Sequence, residues 1–226
     1  MARKKELVLI GGGGHCKSCI DVIEAEGTFK IVGIVDKKEK IGQRVLGYEI
    51  FASDGDLPGL VKEYKNFFVT IGSIADPSRR IAKFQELKQL GVEFPAIISP
   101  LARVARSAKV GEGTIIMHNA LVNSDGRVGV NCIINTSAVI EHESIIGDHS
   151  NISTGSIING TCVIGNGVFI GSGSVVFNNI DLADGVIVGG GSVVTKSICE
   201  PGLYLGNPAR RNTSTEKLMK IKDSYD

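Results

Sequence analysis

From Val104 onward, every sixth residue is aliphatic: Val104, Val110, Ile116, Val122, Val128, Ile134, Ile140, Ile146, Ile152, Ile158, Ile164, Ile170, Val176, Leu182, Val188 and Val194. No member is missing, and no insertion breaks the phase. Such a period fits neither a helical face, which recurs about every 3.6 residues, nor an alternating strand. Four residues after most members stands a second, mostly small series: Ala108, Thr114, Ala120, Gly126, Cys132, Ala138, Ser144, Ser150, Ser156, Cys162, Val168 and Ser174. A triangular coil satisfies both series. Each side is a short strand plus a corner, and three hexapeptides complete a turn of about 18 residues. The aliphatic residue points into the core, and the small one fills the tight space beside it. Backbone groups pair with the coils above and below. Glycines support this register: Gly111, Gly129, Gly147 and Gly165 form one file, and Gly155, Gly173 and Gly191 another. Corners need φ > 0 or close backbone approach, and glycine supplies both. Spacing alone leaves the hand of the coil open.

Residues 1–98 read differently. An apolar strand at 6–10 runs into glycines 11–14, and residues 15–26 have a helical apolar face. Strands follow at 30–35 and 67–71, a helix at 77–90, and residues 94–98 lead into the repeat. Strand–helix alternation implies a small parallel sheet of Rossmann type. Pro95 and Pro100 bracket the junction, so the expected domains are 1–98, a β-helix at 99–198, and a return segment at 199–226. In the last, Thr213 and Glu216 are spaced as a capping box for a short helix. The segment 37–66 offers no clear pattern.

Composition excludes some function classes. A net charge of +1 creates no whole-chain field for nucleic acid or an anionic membrane. No apolar run reaches spanning length, and the short N-terminal apolar run reads as a strand rather than a secretory leader. Five cysteines make no even disulfide framework, so a reduced, cytoplasmic protein is expected.

Three motifs carry chemistry. Gly11-Gly12-Gly13-Gly14-His15 lies between a strand and a helix start, where backbone N–H groups and the helix dipole suit a phosphate. It is equally a tight strand–helix turn, and Cys16 stands where a dinucleotide fingerprint has its third glycine. Asp36, ending the second strand, is placed to accept from a ribose or base. Cys16-x-x-Cys19 has no partner set, and Cys19 lies on the apolar helix face. Within the repeat, His118, His142 and His149 fall at different phases of the coil, so a metal site is not expected. His142 follows core Ile140 by two residues and projects outward. Ser124 and Gly160, one coil away on either side, leave room for a ligand beside the imidazole, and Glu141 and Glu143 flank it. A neighbouring carboxylate favours the imidazolium and suits a general base. A solvated surface histidine is the alternative.

The chain over residues 1–211 resembles the sialic-acid and bacillosamine type of sugar O- or N-acetyltransferases, in the hexapeptide-repeat superfamily. The matching residues are G-G-G-G-H at 11–15, Asp36, I-I-N-T-S-A-V-I-E-H-E at 133–143, G-G-G-S-V-V at 189–194 and G-N-P-A-R at 206–210. The nearest resemblance is to UDP-4-amino-sugar N-acetyltransferases. It implies a left-handed parallel β-helix after the Rossmann-like domain, and a homotrimer with active sites between adjacent β-helices. It implies acetyl-CoA as co-substrate, without a metal. His142 matches the catalytic base, and Glu143 the acid that tunes it. Gly13, Gly14, His15, Asp36, Lys37 and Gly72 match the nucleotide-sugar site. Acetyl-CoA would lie along the coil edge near Ser172 and Gly190. Asn151 stands where relatives carry a second histidine near the thioester, and it donates a hydrogen bond but cannot titrate. The expected reaction is direct acetyl transfer to the amine of a nucleotide-linked amino sugar of the UDP-4-amino-4,6-dideoxy type. Rival readings are O-acetylation of a sugar hydroxyl such as that of sialic acid, a non-catalytic β-helix scaffold, and a dinucleotide-dependent enzyme.

Overall fold

The computed structural model describes residues 4–212. They divide into two compact units, one of residues 4–72 and 78–100, the other of residues 73–77 and 101–212. Residues 73–77, expected in the N-terminal domain, thus group with the second unit.

The first unit is a mostly parallel sheet with helices, its edge strand antiparallel. Its elements are β1 (Lys5–Ile10), α1 (Gly14–Glu26), β2 (Phe29–Asp36), β3 (Arg44–Val45), β4 (Tyr48–Ser53), α2 (Leu57–Glu63), β5 (Asn66–Val69) and α3 (Ser78–Gln89). The strand order is β3-β4-β2-β1-β5. β1 runs parallel to β2 and β5, and β2 parallel to β4. Leu7, Val8, Leu9 and Ile10 are all buried, as the unbroken apolar run of a central parallel strand requires. α1 buries Cys16, Cys19, Ile20, Val22 and Ile23, and stops at Gly27 in the left-handed conformation. The unread segment 37–66 holds β3, β4 and α2. Leu46 (φ 46°) and Gly47 (φ 89°) form a two-residue hairpin turn with both residues left-handed. Leucine in that slot is why the turn carries no sequence signature.

The second unit is a left-handed parallel β-helix. Two-residue strands stack into three faces. Face I includes Leu121–Val122, Val139–Ile140, Ile157–Ile158 and Val175–Val176. Face II includes Arg127–Val128, Ile145–Ile146 and Val163–Ile164. Face III includes Ile133–Ile134, Asn151–Ile152 and Phe169–Ile170. The aliphatic series points inward, and every member from Ile116 to Val194 is buried. Hydroxyls of the small series bridge coils. Ser144 Oγ donates to Asn159 O (2.8 Å) and accepts from Cys162 N (3.1 Å), which removes the penalty of a buried polar group. Gly202–Leu205 continues face III and pairs antiparallel with Arg210–Arg211. Thr213 and Glu216 lie outside the described residues.

The two glycine files obey different constraints. From Gly113 to Gly191, every sixth residue is left-handed, from φ 53° at Asn131 to 68° at Gly191, and Gly155, Gly173 and Gly191 belong to this series. Gly147 does not: a Cβ there would lie 2.6 Å from the carbonyl carbon of Gly165 in the next coil. Gly147→Ala is therefore expected to lower stability by about 1–3 kcal/mol through overpacking. Gly155→Ala, which meets open space, is expected to cost about 1 kcal/mol in backbone strain alone. Urea-unfolding midpoints of the two variants check this, and equal losses would count against the distinction.

Candidate active site

His142 and Glu143 are the central pair of a corner between faces I and II. Ser144 N donates to Glu141 O (3.4 Å) across it, and Glu143 takes the left-handed position at φ 60°, the pattern of a type II turn. The corner is tied on both sides: Glu143 N donates to Ser124 O (2.9 Å), and Thr161 N to His142 O (2.9 Å). Both side chains project outward, 53% and 62% exposed, with His142 Nδ1 3.2 Å from Glu143 Oε2. An Nδ1–H donated to that carboxylate leaves the Nε2 lone pair free to take a proton. A contact so exposed contributes little to stability, so the fold does not depend on it.

Two expectations around His142 are corrected. Glu141 does not flank the imidazole, because its Oε2 accepts from Asn123 Nδ2 (2.7 Å) one coil earlier. The space over Gly160 is not left for a ligand, because the imidazole itself occupies it: a Cβ at Gly160 would lie 2.5 Å from His142 Cε1 and 2.6 Å from Nε2.

The other β-helix residues singled out lie elsewhere on the coil. His118 and His149 sit at the other two corners, and His149 Nδ1 is 3.0 Å from Asn131 Nδ2. No group of three or more potential ligands for a metal ion occurs among the described residues. Ser172 and Gly190 stack at the corner between faces III and I, where Gly191 N donates to Ser172 O (2.9 Å) and Ser172 Oγ meets Ser153 Oγ (2.9 Å). Asn151 is on face III, buried, and its Nδ2 donates to Ser73 O (2.7 Å). Its Oδ1 is buried with no hydrogen-bond partner among the described residues. Within one chain, then, His142 is not brought together with Asn151, Ser172 or Gly190.

The glycine loop of the first unit forms a second cluster. Gly11 is required by its conformation (φ 101°) and by Ile71, whose Cγ1 would lie 2.6 Å from a Cβ. Gly13 and Gly14 meet nothing within 4 Å, so their backbone is open to close approach. Gly13 caps α1 with no side-chain hydrogen bond, and the first turn holds no acidic residue, which leaves N–H groups facing outward for an anion. Asp36 clamps this loop. Its Oδ2 accepts from Gly12 N (2.8 Å) and Lys40 Nζ (3.3 Å), and its Oδ1 from Lys37 N (2.7 Å). Burial pushes the carboxyl up, but these donors outweigh it and hold its pKa below the ordinary value. The Lys37 side chain is exposed beside it.

His15 sits under Gly72, where a Cβ would lie 3.1 Å from its own Cβ. Its Nε2 is buried with no hydrogen-bond partner among the described residues. Burial, reinforced by the Arg80 guanidinium, lowers its pKa from 6.5 to about 3, so the ring is neutral. Two residues that shape this cluster escaped notice in the sequence. Thr70 Oγ1 donates to Ile10 O (2.9 Å), and Arg80 Nη1 donates to Val69 O (2.7 Å) and Ile71 O (2.8 Å). Arg80 shares its spacing with buried Phe84 and Leu87 on α3, a helical signal that places an arginine on an inward face. Cys16 and Cys19 are buried in α1, and burial pushes the Cys16 thiol up to about 11, away from redox chemistry.

Comparison with known proteins adds four findings. Residues 6–87 match the model of the PglD N-terminal domain. The structure of PerB from Caulobacter crescentus in complex with CoA and GDP-perosamine superposes with a TM-score of 0.85 at 31% identity, covering 92% of this chain and 97% of that one. The acetyltransferase domain of PglB from Neisseria gonorrhoeae in complex with acetyl coenzyme A superposes with a TM-score of 0.86 at 27% identity, covering 93% and 100%. The UDP-N-acetylbacillosamine N-acetyltransferase of Bacillus subtilis is 32% identical over 116 residues, half of this chain and 51% of that protein. The chain thus spans about half the length of the curated relative it matches.

The neutral ring of His15 sets a pH dependence. Between 6.5 and about 3, the unfolded chain binds a proton there and the fold does not. The stability it contributes is complete above 6.5 and declines as pH falls through that window. His15→Phe is expected to flatten the acid limb of the urea-unfolding midpoint between those values. Equally steep limbs would show that His15 protonates within the fold.

Proposed function

We propose that this chain, which belongs to the hexapeptide-repeat family of acetyl-CoA-dependent sugar N-acetyltransferases, moves an acetyl group from acetyl-CoA to the amine of a nucleotide-linked amino sugar, with His142 as general base. The observation that carries the base assignment is the exposed His142–Glu143 corner, built by a turn that holds the carboxylate on Nδ1. The sugar nitrogen attacks the thioester carbonyl while His142 Nε2 takes its proton. The C–S bond then breaks, and the CoA thiolate leaves with a proton returned by the imidazolium. Backbone N–H groups at the coil edge suit the developing oxyanion. Glu143 orients the ring. Residues 1–98 hold the nucleotide sugar through the open backbone at Gly13 and Gly14, with His15, Asp36, Lys37 and Gly72. Residues 99–198 hold acetyl-CoA, near Ser172 and Gly190. Asn151 offers a buried Oδ1 but is committed through Nδ2 to Ser73, so we assign it to holding segment 73–77 beside the acyl donor.

For the substrate we favour a UDP-linked 4-amino-4,6-dideoxy sugar. The name of the Bacillus subtilis relative supports UDP, while the PerB complex holds a GDP sugar. Cytoplasmic residence suits five free thiols, and no helix among the described residues is long and apolar enough to cross a membrane. In a thiol-release assay across UDP-, GDP- and CMP-linked sugars, an amino sugar is expected to turn over and its hydroxy counterpart not. His142→Ala is expected to lower kcat about 10²-fold or more. Undiminished turnover in that variant overturns the base assignment, and preference for the hydroxy sugar overturns N-acetylation.

We further propose a homotrimer that completes the site. From Leu121 onward the outward residues of face I form an aliphatic file: Leu121, Val139, Ile157, Val175 and Val193. Ile145 and Val163 of face II are 40% and 45% exposed. These two faces meet at the His142 corner, so a second copy seated there would bring its own coil edge to the base. Sedimentation equilibrium is expected to give three times the 23.9 kDa chain mass. Ile157→Lys, on the outward side, is expected to yield folded monomers lacking turnover. A trimer that persists in this variant with full activity would place the interface elsewhere.

A further inference from the structure

We propose that Gly160 is the positioning residue that seats the imidazole of His142; the inference rests on His142 being the base. At this corner the coil register stacks Arg106, Ser124, His142, Gly160, Asn178 and Lys196. Gly160 alone in the file has no side chain. The backbone does not ask for glycine there. In the coils of Ser124, His142, Gly160 and Asn178 the left-handed residue is the next one, Thr161 at φ 61° as Glu143 at 60°, and Gly160 lies outside the positive-φ region. The slot that takes Ser, His, Asn and Lys in other coils would take a Cβ here too. What a Cβ would displace is the imidazole of His142. The three nearest atoms to a Cβ at Gly160 are His142 Cε1 (2.5 Å), Nε2 (2.6 Å) and Nδ1 (3.1 Å), with no backbone among them.

Two contacts therefore define the ring. Glu143 Oε2 holds Nδ1 at 3.2 Å, and the bare backbone of Gly160 provides the floor. A side chain 53% exposed, as His142 is, would otherwise exchange among rotamers. Catalysis depends on the aim of Nε2, since about 1 Å of misplacement costs on the order of 10²-fold in rate. The missing Cβ thus acts through His142.

The test is Gly160→Ala, made in wild-type and His142→Ala backgrounds. In the ligand-free protein, the Cε1–H resonance of His142 is expected to move in Gly160→Ala. Its kcat is expected to fall 10- to 100-fold, with both KM values within a few-fold. Thermal unfolding gives a readout independent of activity. The melting temperature is expected to drop on Gly160→Ala when the imidazole is present and to be restored when His142→Ala has removed it, because neighbours in contact are non-additive. An equal drop in both backgrounds, or an unmoved resonance in the free protein, overturns the proposal. If instead His142→Ala alone retains full turnover, the base assignment has failed, while the thermal cycle still reports whether Gly160 seats the ring.

Discussion

Each coil hangs on its neighbours by backbone hydrogen bonds that recur at every level of the β-helix. Val139 N donates to Ser156 O (2.8 Å), Glu141 N to Ile158 O (2.9 Å), and the corner amide of Glu143 back to Ser124 O (2.9 Å). Strand amides reach one coil forward and the left-handed corner amides one coil back, so a corner is pinned from both directions. A one-residue slip would turn the whole aliphatic series out of the core. The direction in which any side chain points is consequently set by its place in the 18-residue register. That rigidity is what lets a half-exposed histidine be aimed at all.

The lattice also determines where chemistry can be installed. Inward positions are taken by the aliphatic core, and the small series is committed to bridging, as Ser150 shows by donating to Gly165 O (2.9 Å) and accepting from Val168 N (3.0 Å). The left-handed corner position admits glycine or a few polar residues. The residue just before it has ordinary backbone conformation and an outward side chain, and His142 stands there. Its neighbour Glu143 occupies the left-handed slot, where a turn built for glycine or asparagine carries a carboxylate instead. The local strain, about 1–2 kcal/mol for a residue of this kind, is borne by a corner that gains a fixed hydrogen-bond partner for the imidazole.

The β-helix was legible in the sequence because its constraint repeats: one aliphatic position, sampled from Val104 to Val194, leaves a single consistent geometry. The outward aim of His142 and its proximity to Gly160 followed from the same register. Register alone did not reveal what filled the space, and the imidazole proved to be its own neighbour's occupant. It also could not separate Glu141 from Glu143, since the Asn123–Glu141 pair joins residues a full coil apart. The first unit was less legible. Its long strands and α1 carry clear patterns, but the turn at Leu46–Gly47 lacks the residues that usually mark it. The Asn151–Ser73 bond spans 78 positions and no periodicity. Arg80 was hidden because a buried arginine hydrogen-bonded to β5 and the following loop looks, residue by residue, like one on a solvated helix.

The placement of the remaining site residues bears on why such a chain would assemble. His142 lies where faces I and II meet, Ser172 and Gly190 lie where faces III and I meet, and Asn151 lies on face III itself. A triangular prism turns these positions away from one another, and no side-chain movement brings one corner to another across a packed core. With the base at one corner and the acyl donor held at another, the proposed reaction would draw them from different copies. The aliphatic files beside His142 are the surface such a contact would cover, and burying them is favourable in proportion to their apolar area. On this reading, association and catalysis share one cause: the coil that fixes the aim of each side chain also prevents any single coil from surrounding a substrate.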